Sequence, residues 1–162
     1  MKVIIAGSRS INDYEFVKKA IQESGFKITE VVSGHAKGVD RLGEAYAKQN
    51  NIPIKEFRVD WNKYGRSAGI KRNIEMGDYA DALIAIWDGT STGTQHMMKY
   101  ANYKDLKVFV KINNDIYYKN FEKRFGSLME FLNKQSWKLP KITDKSDEEI
   151  IESITKDIKN EN

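Results

Sequence analysis

Ala82-Leu83-Ile84-Ala85-Ile86-Trp87 runs straight into Asp88-Gly89-Thr90-Ser91-Thr92-Gly93-Thr94, and this pairing of a six-residue apolar run with a glycine-rich loop decides the fold. Six residues are short for a buried helix and suit a strand covered on both faces. The unit occurs twice upstream: Val3-Ile4-Ile5-Ala6 closes in Gly7-Ser8-Arg9, and Glu30-Val31-Val32 leads into Ser33-Gly34-His35-Ala36-Lys37-Gly38. Helical spacing fills the intervals. Asn12 or Asp13 can cap a helix with Phe16, Val17, Ala20 and Ile21 on one face, and Gly25 suits its left-handed end. Val39, Leu42 and Tyr46 share one side of a second helix that ends at Asn50-Asn51, Ser67 can start a third through Ile70 and Ile74, and Met97, Met98 and Ala101 lie on a fourth. Residues 53–57 read as a strand near an edge, because Pro53 lacks a ladder donor, and Lys107-Val108-Phe109-Val110 reads as the last strand. Asp60 to Gly65 reads as a loop, and Thr92 or Thr94 as the cap of the fourth helix. Strands alternating with helices imply a doubly wound α/β domain with a mainly parallel sheet of about five strands, in the order 3-2-1-4-5.

After Lys111 the pattern weakens through Tyr117-Tyr118, Phe121 to Leu132 and Trp137-Lys138-Leu139-Pro140. Ser146-Asp147-Glu148-Glu149 is a capping box ahead of an apolar stripe of Ile150, Ile151, Ile154 and Ile158. The expected organisation is a ligand-binding domain over 1–112 and an extension over 113–162 that packs on it and ends in an amphipathic helix. That stripe either covers the domain's own sheet or builds a homodimer or higher homo-oligomer.

Composition excludes several classes. The 162 residues contain no cysteine, which removes disulfides, thiolate nucleophiles and cysteine zinc sites, and two histidines leave little for a dedicated metal site. We expect no metal and no cofactor. No apolar run approaches the roughly twenty residues of a membrane span, and the start is too short for a secretory core, so we expect a cytoplasmic protein without membrane contact. The net charge of +4 concentrates between Lys55 and Arg72, where six basic side chains face two acidic ones. Without a continuous basic stripe or a groove-reading motif, this patch fits a small anion better than a duplex.

In a doubly wound sheet, ligands bind beyond the carboxyl ends of the strands where the strand order reverses. With the order 3-2-1-4-5, Gly7-Ser8-Arg9, Ser33 to Asp40 and Asp88 to Thr94 line one cleft, and the last two loops open helices whose free amides favour phosphate. Each loop alone is equally a tight turn; their convergence is the signal. Arg9, just past a strand end, suits bidentate recognition of phosphate or carboxylate. Backbone amides around Ser8, Gly34 to Gly38 and Gly93-Thr94 are expected to hold phosphates, with Arg9 and Arg72 neutralising them. Asp40 or Asp88 would take ribose hydroxyls, and Trp61 or Tyr64 would stack on a base. The binding set is completed by Ser33, His35, Ala36, Asn73, Gly89, Ser91 and Thr92. Asp40 is also ordinary helix-dipole complementarity, and each histidine is more often structural than catalytic. No catalytic residue is assigned.

These loops, together with Asp60-Trp61-Asn62-Lys63-Tyr64-Gly65, Ala68-Gly69 and Arg72-Asn73-x-x-Met76, resemble the SLOG superfamily, and most closely its YspA-type, YpsA-related branch. The resemblance covers residues 3 to about 110. It implies a Rossmann-like domain, often dimeric, that binds nucleotides or nucleotide-derived molecules of the ADP-ribose or cyclic nucleotide type. Such a domain acts as a sensor or sequesters a signal, including in bacterial or phage defence conflict. The Lonely Guy branch offers an alternative, a nucleoside monophosphate phosphoribohydrolase with an R-x-x-x-M motif and a P-G-G-x-G-T-x-E-E motif. Arg72 to Met76 matches the first. The second departs, because Gln95, His96 and Met97 follow Thr94 where that branch carries two glutamates, and Asp40, Glu75 or Asp88 would have to replace their charge. Single-stranded DNA binding, the second alternative, rests only on Trp61, Tyr64 and the basic patch, and is the least favoured reading.

Overall fold

The computed structural model describes residues 1–117. Strands β1 (Lys2–Gly7), β2 (Glu30–Ser33), β3 (Ile54–Glu56), β4 (Ala82–Trp87) and β5 (Lys107–Ile112) form one sheet in the order β3-β2-β1-β4-β5. Every pairing is parallel, with Val3 opposite Val31 and Ala82, Val31 opposite Ile54, and Ile84 opposite Phe109. This is the doubly wound Rossmann-like order that the apolar runs imply. The central strands β1 and β4 are the most hydrophobic because helices cover both of their faces.

Helices α1 (Tyr14–Glu23) and α2 (Val39–Gln49) lie on one side of the sheet, and α4 (Ala68–Tyr79) and α5 (Thr92–Tyr103) on the other. On the first side Val3, Ile5, Ile84 and Ile86 pack with Ile11, Val17, Ile21 and Val39. On the second, Ile4, Leu83 and Ala85 pack with Met76, Met97 and Ala101. Burial of each large aliphatic side chain contributes roughly 1.5–3 kcal/mol, which makes these two layers the main source of stability.

Asp13 caps α1 by accepting from the Phe16 amide at 3.1 Å, and Gly25 past its end has φ +66°. Two local details differ from the sequence reading. Asp60 to Gly65 is not an open loop: Asp60 caps a short helix α3 (Trp61–Tyr64), which passes through a 3-10 turn (Gly65–Ser67) into α4. The cap of α5 is Ser91, not Thr92 or Thr94; its Oγ accepts from the Thr94 amide at 3.4 Å. The extension expected over 113–162 falls, beyond Tyr117, outside the described residues.

Candidate functional site

Because the chain leaves β3 to return on the far side of β1, the loops after β1 and β4 diverge, and a cleft of about 1160 Å³ opens between them and α4. Its two lips are built differently. On the β4 lip, Asp88 Oδ1 accepts from the amides of Thr90 (2.9 Å) and Ser91 (2.8 Å), while its Oδ2 accepts from the Ser10 hydroxyl at 2.7 Å. The Asp88 amide in turn donates to Ser8 Oγ at 3.0 Å, and the Ser8 amide to the Ile86 carbonyl. One carboxylate thus ties the β1 loop to the turn that opens α5. Burial disfavours its charge, but the hydrogen bonds from Ser10, Thr90 and Ser91 outweigh this and hold Asp88 below the usual carboxylate range.

On the β2 lip, Asp40 in the first turn of α2 accepts from the Gly7 amide at 3.4 Å and the Ala36 amide at 3.3 Å. It is 2% exposed, and burial pushes its pKa up to about 6, against the opposing charge of Arg72 and the two amides. Arg72 reaches across from α4 and donates through Nη1 to the Gly34 carbonyl at 2.8 Å and through Nη2 to Asn73 Oδ1 at 3.2 Å. Burial, and then the charge of Arg9, lower its affinity for its proton, while Asp40 opposes them. The crossing is close: a Cβ on Gly34 would stand 2.6 Å from Arg72 Nη1 and 2.8 Å from Asp40 Oδ2, so a side chain there would push the guanidinium aside. Gly38 turns at φ +79°, where a Cβ would meet the Ser8 carbonyl at 2.6 Å.

Twelve of the nineteen predicted binding residues line this cleft: Gly7, Arg9, Ala36, Asp40, Trp61, Arg72, Asn73, Asp88, Ser91, Thr92, Gly93 and Thr94. Arg9 is exposed at its edge, and Trp61, 53% exposed, stands at its mouth. The other seven support it or lie aside. Ser8 and Gly89 hold the β4 lip, with Gly89 at φ +83°, and Gly34 and Gly38 hold the β2 lip. Ser33 and His35 face away into a separate cluster, where Glu44 Oε1 accepts from Ser33 Oγ at 2.7 Å and lies 2.9 Å from His35 Nδ1. Glu56 is 3.7 Å from the same nitrogen, and these three ligand-type side chains lie within 4.8 Å of one another. Tyr64 is off the cleft, its ring lying under the ammonium groups of Lys63 (4.9 Å) and Lys71 (4.0 Å).

The sequence reading missed Ser10, Arg66, Ser67, Ile70, Gln95, His96 and Lys99 as lining residues. Arg66 and Ser67 come from the 3-10 turn after α3 and Ile70 from the first turn of α4, a stretch in which the sequence reading placed no glycine loop. Gly93, His96 and Lys99 repeat at a spacing of three on α5, a signal that the glycine loop's face continues into the helix.

A doubly wound sheet with a polar cleft at its switch point defines a ligand-binding α/β domain. The description "YspA, cpYpsA-related SLOG family" belongs to a family whose model matches residues 1–64. Among curated proteins, the Gene 61 protein of Mycobacterium phage D29 is 34% identical over 117 residues, which cover 66% of this chain and 93% of that protein. No solved structure matches. The chain belongs to the YspA, cpYpsA-related SLOG family, and this membership fits a nucleotide-related role. Among the described residues, no helix is long and apolar enough to cross a membrane.

Proposed function

We propose that the chain binds a nucleotide or nucleotide-derived signalling molecule, of the ADP-ribose or cyclic nucleotide class, and acts as a sensor or a sequestering protein. The observation that carries this reading is the convergence of three strand-end loops on one cleft that also holds four cationic side chains, Arg9, Arg66, Arg72 and Lys99. The first amides of α5, at Thr92 and Gly93, precede its internal hydrogen bonds and suit a phosphate, and the exposed indole of Trp61 suits a base. A cleft of about 1160 Å³ has room for a ligand larger than a mononucleotide. The phage relative supports a place in conflict between phage and host.

Binding is favoured over hydrolysis because, of the carboxylates that line the cleft, Asp88 is fully engaged by its own loop and Asp40 is buried, 2% exposed. Asp40 takes two amides, Asp88 takes two amides and two hydroxyls, and Glu75 is exposed and lies outside the lining. The test is calorimetric titration with AMP, ATP, NAD, ADP-ribose and cyclic nucleotides, repeated on Arg9→Ala. Losing a charge-assisted contact should weaken binding by about 1.5–3 kcal/mol. Unchanged affinity for every ligand that binds would remove Arg9, and with it this cleft, from the site.

A further inference from the structure

Behind the β2 lip, outside the cleft, three ligand-type side chains meet. His35 comes from the loop after β2, Glu44 from α2, and Glu56 from the end of β3, where it stands in register with Ser33. Their ligand atoms lie within 4.8 Å of one another, with His35 Nδ1 at 2.9 Å from Glu44 Oε1 and 3.7 Å from Glu56 Oε1. Donors that bind one transition ion at about 2.1 Å stand roughly 3 to 3.5 Å apart, so small side-chain shifts close this set around an ion.

Each carboxylate is already aimed. Ser33 Oγ donates to Glu44 Oε1 at 2.7 Å, and Arg58 donates to Glu56 Oε2 from Nε at 3.0 Å and Nη2 at 2.8 Å, so Oε1 is the oxygen turned to His35. Supporting contacts of this kind orient the ligands of metal sites. The Glu44 side chain is buried, 6% exposed, while those of His35 and Glu56 are 23% and 33% exposed, which opens the cluster to ions from solvent. Two carboxylates thus converge on one ring nitrogen that carries at most one proton. A divalent cation engages both carboxylates and the nitrogen's lone pair together, and offsets the repulsion between the two acids.

We propose that His35 Nδ1 and the carboxylates of Glu44 and Glu56 form a binding site for a divalent transition-metal ion of the Zn²⁺ or Mn²⁺ class. One imidazole with two carboxylates suits such ions, whereas Ca²⁺ and Mg²⁺ prefer oxygen alone. Water completes the coordination on the open side. The expectation of no metal rests on a count of two histidines, and one imidazole is enough when two carboxylates join it. The ion ties the loop after β2 to α2 and β3, and the site is independent of what the cleft binds.

The test uses the untagged full chain. Calorimetric titration with Zn²⁺ should give one ion per chain, and Mn²⁺ added to nitrogen-labelled protein should broaden first the amide signals of His35, Glu44, Glu56 and their neighbours. His35→Asn, which suits the left-handed backbone at φ 56°, and the part-exposed Glu56→Gln should each weaken Zn²⁺ binding at least roughly tenfold with little change elsewhere in the spectrum. Glu44→Gln, which keeps an acceptor for Ser33, should do the same. No saturable Zn²⁺ binding up to about 1 mM, broadening centred elsewhere, or parental affinity in His35→Asn and Glu56→Gln overturns the proposal.

Discussion

The two lips of the cleft each hang on one aspartate, and the two aspartates are held in opposite ways. Asp88 receives bonds of 2.7 to 2.9 Å from a hydroxyl and two amides, and stays ionised below the usual carboxylate range. Asp40 receives two long bonds of 3.4 and 3.3 Å in a drier place, and its pKa rises to about 6. The β4 lip is therefore a satisfied, rigid platform, while the β2 lip holds a charge that its own contacts leave under-compensated. A bound anion would not relieve Asp40 directly. It would instead draw on Arg72, whose guanidinium stands over Gly34 next to the Asp40 carboxylate.

The contrast can be broken or sharpened by substitution. The largest effect belongs to Gly7, beneath both lips, where a Cβ would strike the Ile86 carbonyl and the Val39 side chain; Gly7→Ala should cost more than about 3 kcal/mol in denaturant unfolding. Next comes the pH dependence of Asp40. A carboxyl raised from its ordinary 3.8 to about 6 favours folding while it is protonated, and that contribution fades as pH rises through 6. Relative to Asp40→Asn, the parent should lose up to about 3 kcal/mol between pH 4 and pH 7. His96, with its lowered pKa, acts in the opposite sense near its own titration, but it is common to both proteins and cancels. A pH-independent difference would show that Asp40 is not strained in this way.

Asp88→Ala should cost about 2 kcal/mol at neutral pH, through the lost tie between the β1 loop and the turn that opens α5. Asp40→Ala should cost less, and the reverse order in chemical denaturation would contradict the contrast. The smallest stability effect is expected for Gly34→Ala, because the atoms in the way include the flexible end of Arg72. There the folded state should lose under about 1 kcal/mol while affinity for a bound nucleotide falls roughly tenfold, a split that calorimetry on folded protein reads directly.

The strand order was legible because each strand is a short apolar run that ends at a glycine loop, and β4 is apolar along its full length. The same loops located most of the cleft. Geometry carried by tertiary contacts was not legible. Asp40 looks like an ordinary acidic residue in a first helical turn, and only the packed structure shows its carboxylate under the Gly7 amide. His35 sits in the right loop, yet its left-handed backbone, φ 56°, accompanies a ring turned to Glu44 instead of the cleft. His96 lies beyond the glycine motif by one helical turn, a distance at which a loop reading stops.

The central claim is that the cleft holds a nucleotide-derived ligand without cutting it. The most direct measurement incubates the purified chain with AMP, ATP, NAD, ADP-ribose and cyclic nucleotides, separates protein from supernatant, denatures the protein and analyses both fractions by mass spectrometry. The account predicts that a compound is recovered intact from the protein fraction. Free base with ribose phosphate in the supernatant would contradict it, and would mean that Asp40, Glu75 or Asp88 supplies the carboxylate assigned here to structure or solvent.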